Sequence, residues 1–160
     1  EKYLDKLCYN YVQNEQDALD IAQEVYIKVF NNISSFDVKM PFHPWFRTIA
    51  VNTCLNFKRT IRYDSVSLNA GYEDDRTIEE VVAASKDVES EVLDNELGHI
   101  IRENLECLRP KHRMVLILRY YEGLSYEEIA AVLKEPLGTV KTDIYRARNI
   151  LKEKLRNAMK

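Results

Sequence analysis

Glycine and proline are scarce, with 4 of each in 160 residues. Tight hairpin turns draw on those two residue types, so a chain this poor in both has little with which to build a β-meander. No convincing strand pair is legible, and Leu, Ile, Val, Ala, Glu and Lys recur with helical periodicity, which predicts an all-α fold. No apolar run approaches the ~20 residues of a membrane span, and no basic-then-apolar leader opens the chain. A cytoplasmic location without membrane insertion is therefore expected. The cysteines are only three, Cys8, Cys54 and Cys107, odd in number and set among apolar residues. They read as small core hydrophobes in a reducing compartment. Without a CxxC or HxxxH spacing no metal site is expected. His43, His99 and His112 show no nucleophile or ligand pattern. With no nucleophile–base pair and no phosphate loop either, the expectation is no catalytic residue, no cofactor and no enzyme. The first residue is Glu1, inside a helical pattern, so the native start is expected to be missing.

What is present begins with charge. The net value of −3 conceals a strong asymmetry along the chain. Residues 1–63 carry net +1, residues 64–95 net −8 and residues 96–160 net +4, while 139–160 alone carry 7 basic and 2 acidic residues. For steering a polyanion, where charge sits matters more than its total.

Three segments follow from this and from the hydrophobic pattern. Residues 1–63 are helical and rich in aromatics, 64–92 are acidic with few large apolar residues, and 93–160 are helical again. The middle reads as an acidic linker, with a short helix at residues 77–84 at most, because it cannot bury enough apolar surface to offset its ordering entropy. Two small helical domains on a tether is the expected organisation.

The second domain carries the clearest motif. Ser125 and Glu128 have capping-box spacing, so a helix is expected from Ser125 with Ile129, Ala130, Val132 and Leu133 on one face. Pro136 and Gly138 are expected to end it, and Thr139 to cap the next helix. On a wheel of about 100° per residue, Val140, Ile144, Ala147 and Leu151 form a core stripe. Thr142, Tyr145, Arg146 and Asn149 point away from it, with Lys141 on the flank. A hydroxyl, a phenol, a guanidinium, an amide and an ammonium on one face can contact base edges and phosphates. Two short helices joined by a brief turn, the second bearing such a face, predict a helix-turn-helix. A basic face taken alone is usually the solvated side of a helical bundle; the capping box, the short break, the second cap and the base-capable face together point to DNA instead.

In the first domain, Ala18, Ala22, Val25 and Val29 are expected as core, with Ile21 and Phe30 at the edges. Asp17, Asp20, Glu24 and Lys28 fall on another side, which spacing alone reads as a solvated surface. Further on, Trp45, Thr48, Asn52 and Asn56 share one arc, apart from Phe46, Ile49, Ala50 and Phe57. A Trp beside two amides offers a stacking surface and bidentate hydrogen bonding, suited to an unstacked base. Asn52 is open to a local capping role instead. Lys58, Arg59 and Arg62 suit phosphate contact, and Phe36, Phe42 and Tyr63 suit packing.

The run "LRPKHRMVLILRYYEGLSYEEIAAVLKEPLGTVKTDIYRARNILKEKL" (108–155) resembles the fourth conserved region of bacterial sigma factors, particularly the extracytoplasmic-function (ECF) group. "DALDIAQEVYIKVFNNISSFD" (17–37) with "PWFRTIAVNTCLNFKR" (44–59) resembles the second conserved region. The resemblance implies a sigma factor in which Asp20, Gln23 and Glu24 bind the clamp helices of the polymerase β′ subunit. It implies capture of the minus-ten element by Trp45, Thr48, Asn52, Asn56, Lys58 and Arg59. Lys141, Thr142, Tyr145, Arg146 and Asn149 would read the minus-thirty-five duplex, while the second domain meets the polymerase β flap. Core RNA polymerase, promoter DNA and a dedicated anti-sigma factor are the implied partners. Relatives commonly carry Ser-Arg after "GTVK", whereas Thr142-Asp143 stands here, which is expected to set a negative charge near the groove. The alternatives are a helix-turn-helix regulator acting without polymerase and a helical protein-interaction module.

Overall fold

The computed structural model describes residues 2–57 and 104–158, and within them all regular structure is helical. Lys58, Arg59, Arg62, Tyr63, His99, the acidic linker and its short helix lie outside the described residues.

α1 (Lys2–Val12) buries Leu4, Leu7, Cys8 and Tyr11, the i, i+3, i+4, i+7 pattern of a one-sided helix. It stops at Gln13, which takes a left-handed φ of 51°. The side chain of Asn14 then accepts the Asp17 N–H at 2.9 Å and caps α2 (Glu15–Asn32). Ala18, Ile21, Ala22 and Val25 are the buried positions of α2. Phe30, expected at the edge of this stripe, is instead 79% exposed. On the wheel it stands on the face of Leu19 and Gln23, turned from the helices that cover Ala22 and Val25. A single 3-10 turn, Ile33–Ser35, leads on to α3 (Phe42–Asn56), which has Pro44 in its first turn and buries Ala50, Val51, Thr53 and Cys54. Cys8 and Cys54 meet in this core. A hydrogen bond with Cys8 and then burial push the Cys54 thiol far above its ordinary range, so it stays neutral.

The second half starts with a 3-10 turn at Leu105–Cys107 and α4 (Pro110–Leu116), with Pro110 at the first helical position. The helix widens into a π turn at Ile117–Tyr121, where the Glu122 N–H reaches the Ile117 carbonyl at 3.1 Å. α5 (Tyr126–Leu133) and α6 (Leu137–Ala158) complete it.

The two halves pack on each other around one apolar core. At the seam Arg113 is only 3% exposed. Its Nη1 donates to the Tyr11 carbonyl at 2.7 Å, Nε to Leu105 at 2.9 Å, and Nη2 to Leu108 and Glu106 at 3.2 and 3.4 Å. The guanidinium also lies 5.4 Å from the Tyr11 ring centre. A second polar contact crosses the seam nearby. Arg47 Nε stands 3.7 Å from Glu122 Oε2 and 3.4 Å from the Tyr3 hydroxyl. Burial first, and the neighbouring Glu122 carboxylate second, push the Tyr3 phenol up; burial likewise raises Glu122.

Candidate nucleic-acid interface and partner surface

The helix-turn-helix is built from its caps outward. The Glu128 N–H donates to Ser125 Oγ at 3.1 Å, and the Ser125 N–H donates to Glu128 Oε1 at 3.3 Å, a complete capping box. Ile129 and Val132 carry α5 into the core. The end of α5 corrects the sequence expectation. The stop is Lys134, in a left-handed conformation at φ 53°, followed by the Glu135 N–H reaching back to the Ala130 carbonyl at 3.0 Å. Nor is Thr139 the cap of α6, which already begins at Leu137. The Pro136 carbonyl accepts from Thr139 and Val140 at 3.1 and 3.2 Å, so the proline, which lacks an N–H of its own, opens the next helix and does not merely close the previous one.

On α6, Val140, Ile144, Ala147 and Leu151 are buried, as the wheel predicts. Arg146 is exposed, and Lys141, Thr142, Tyr145 and Asn149 are half-buried on the remaining surface. Thr142 Oγ1 donates to the Gly138 carbonyl at 2.9 Å, which fixes its rotamer and leaves oxygen lone pairs for an incoming donor. Asp143, expected as an exposed negative charge, is not on the surface. It is buried against α4, because position 143 lies only about 60° from Val140 on the wheel. Lys111 Nζ is 3.2 Å from its Oδ2, and His112 Nε2 is 3.8 Å from its Oδ1. Burial holds the His112 imidazole below its usual pKa, against the upward pull of Asp143.

In the first half, Asp20, Gln23 and Glu24 are exposed on α2. Gln16 Nε2 donates to Asp20 Oδ1 at 3.1 Å, and Glu24 pairs with Lys28 at 3.2 Å. Lys28 Nζ also reaches Thr53 Oγ1 on α3 at 3.4 Å. Beside these carboxylates runs an apolar strip that periodicity alone did not assign: Leu19, Tyr26, Ile27 and Phe30 are exposed on the side of Gln23. Its signal was available, since α2 carries more large apolar residues than one buried stripe can use.

The α3 arc is accessible but not uniform. Asn56 is exposed, and Trp45, Thr48 and Asn52 are half-buried. The Trp45 ring centre lies 4.7 Å from that of Phe36 and 5.6 Å from that of Phe42, so the indole is held in an aromatic cluster. Thr48 Oγ1 donates to the Pro44 carbonyl at 3.0 Å. Among the described residues no group of His, Cys, Asp and Glu is arranged to hold a metal ion, and no helix is long and apolar enough to cross a membrane.

A capped helix-turn-helix with a polar, basic face on its second helix defines a DNA-binding protein. Residues 1–62 match the family model for sigma-70 region 2, and residues 99–151 the model for sigma-70 region 4. The chain is 37% identical to the ECF RNA polymerase sigma factor SigW of Bacillus subtilis, over 97% of this chain and 86% of that one. It is 34% identical to the ECF RNA polymerase sigma-E factor of Escherichia coli, over 87% and 74%. Two solved structures share the fold at 22% identity. The sigma factor RpoE of Bartonella quintana, solved with the anti-sigma factor NepR, superposes with a TM-score of 0.58 over 97% of this chain and 91% of that one. CnrH, solved with the cytosolic domain of CnrY, gives 0.62 over 96% and 80%. The chain belongs to the ECF group of the sigma-70 family. It is an RNA polymerase sigma factor, a transcription initiation factor that directs the polymerase to promoters.

Proposed function

We propose a division of labour between the two halves. Residues 1–63 hold the polymerase and capture the minus-ten element, residues 93–160 read the minus-thirty-five duplex, and the acidic segment 64–92 joins them. The observation that carries this reading is the base-capable face of α6, opposite a fully buried apolar stripe. Lys141, Thr142, Tyr145, Arg146 and Asn149 make the duplex contacts, with the first helix of the motif crossing the backbone. Trp45, Thr48, Asn52 and Asn56, with Lys58 and Arg59, take the opened strand. Asp20, Gln23 and Glu24 meet the β′ clamp helices, and the second domain meets the β flap. The protein acts in the cytoplasm, binds no cofactor and catalyses no reaction itself. An anti-sigma factor covers its working faces in the resting state; the likeness to a sigma factor solved with its anti-sigma partner supports this.

Contact between α3 and α5 has a consequence for the promoter complex. The two elements are separated by roughly 25 base pairs, about 85 Å at 3.4 Å per pair. Halves that touch cannot span that length, so the seam at Arg113 and Glu122 opens when polymerase and promoter are engaged.

Two variants test the first half. Asn52→Ala is expected to leave polymerase binding intact and to impair strand opening; permanganate footprinting reads this, and normal reactivity of minus-ten thymines would remove Asn52 from the capture site. Asp20→Ala with Glu24→Ala is expected to weaken binding to core polymerase, mainly through slower association, since exposed carboxylates steer a basic partner. Unchanged association and affinity would mean a solvated surface only.

A further inference from the structure

The corner where α4 meets the turn between α5 and α6 concentrates charge on the α4 side of α6, next to the reading face. Lys111 Nζ lies 2.6 Å from Glu135 Oε1 and 3.2 Å from Asp143 Oδ2. His112 Nε2 completes the group, 3.8 Å from Asp143 Oδ1. Lys111 and His112 come from the first turn of α4, Glu135 from the turn, and Asp143 from the second turn of α6. One ammonium therefore ties together three separate pieces of the motif.

Asp143 is 7% exposed, and its Oδ2 meets Lys111 as an ion pair without hydrogen-bond alignment. Glu135 Oε2 and His112 Nδ1 are also buried without a hydrogen-bond partner. A carboxylate this deep is costly unless a cation stays beside it, so the position of Asp143 is tied to that of Lys111. A hydrogen bond to Glu135 first, and then the charge of the Asp143 carboxylate, hold the Lys111 ammonium above its ordinary pKa; Arg109 and Arg146 add positive potential at the same corner. Asp143 follows Thr142 directly and sits one turn before Arg146 and Ala147. Rotating α6 enough to separate Asp143 from Lys111 would swing Lys141, Thr142, Tyr145 and Arg146 away from their present aim.

We propose that Asp143, through Lys111 and Glu135, is a positioning residue that fixes the rotation of α6 against α4 and so aims the reading face at the duplex. This rests on the minus-thirty-five reading proposed above. A counterintuitive consequence follows. If residue 143 faced the groove, Asp143→Arg would strengthen binding to a polyanion; turned toward Lys111 and His112, the new cation breaks the cluster and weakens it.

The test uses the full chain with core polymerase on two templates. One is a promoter duplex recovered by run-off transcription, and the other is the same promoter with its minus-ten region pre-melted and its minus-thirty-five element deleted. Asp143→Arg is expected to lower affinity for the duplex at least ten-fold and the isosteric Asp143→Asn about three-fold or more, with the pre-melted template transcribed normally. Lys111→Glu combined with Asp143→Arg sets a cation between two carboxylates again and is expected to recover most of the loss. A merely destabilised fold would lower transcription on both templates alike, which would overturn the proposal. Asp143→Arg binding as tightly as the parent would overturn it too, and, should that variant not fold, unchanged affinity in Asp143→Asn would do the same. Arg146→Ala separates the two layers. If it weakens duplex binding while the Asp143 variants do not, positioning is wrong and the reading face stands; if neither set has an effect, the reading face itself is wrong.

Discussion

Arg113→Met is expected to lower the stability of the chain by about 3 kcal/mol, since buried carbonyls left without a donor cost about 1–3 kcal/mol each and the lost cation's own desolvation cost offsets part of the sum. The four acceptors, Tyr11, Leu105, Glu106 and Leu108, come from both halves. The substitution therefore loosens the end of α1 and the start of α4 together. For a chain of this size the melting temperature should fall by roughly 6–12 °C. Methionine keeps most of the side-chain bulk, so the loss reports the guanidinium and not a cavity. Arg119→Met is the comparison: Arg119 is half-buried, donates one hydrogen bond to the Leu124 carbonyl at 2.9 Å and lies 4.8 Å from the Tyr126 ring centre. It should cost on the order of 1 kcal/mol. Equal melting temperatures for the two variants would show that Arg113 does not join the halves.

Arg146→Ala is expected to weaken binding of the polymerase complex to promoter duplex by about 1–3 kcal/mol, roughly 5- to 150-fold. Arg146 is the exposed member of the reading face, and its guanidinium can meet a guanine edge with two parallel hydrogen bonds. The loss should depend on the sequence of the minus-thirty-five element. By contrast, Lys152→Ala, farther along α6, should weaken all sequences alike and only flatten the salt dependence. A uniform, sequence-independent effect of Arg146→Ala would reassign it to a phosphate contact.

Much of this was legible in the sequence because one-sided helices announce themselves by period. The stripe Val140, Ile144, Ala147 and Leu151, the capping box at Ser125 and the core of α2 through Val25 all follow from local spacing. Asp143 shows where local reading fails although the geometry was available: its wheel position already faced the core, but its charge argued for solvent. Only the Lys111 ammonium, brought in from α4, reconciles the two. Arg113 was out of reach for a different reason. Its partner Tyr11 lies 102 positions away, and no periodicity encodes a contact between a side chain and a distant helix end. Phe30 lies off the buried stripe, on a second apolar strip of α2 that has no covering helix among the described residues. The end of α5 at Lys134 was hidden since a lysine seldom takes a left-handed conformation, and Pro136 and Gly138 offered stronger signals nearby.

The division of labour between the two halves is tested most directly by run-off transcription from a pool of bacterial promoter fragments, with core polymerase alone and with core polymerase plus this chain. The prediction is a set of new, discrete start sites that share two sequence elements, with Arg146→Ala relaxing the upstream element and Asn52→Ala blocking opening at the downstream one. No stimulation of polymerase, together with sequence-specific DNA binding by the chain alone, would contradict it.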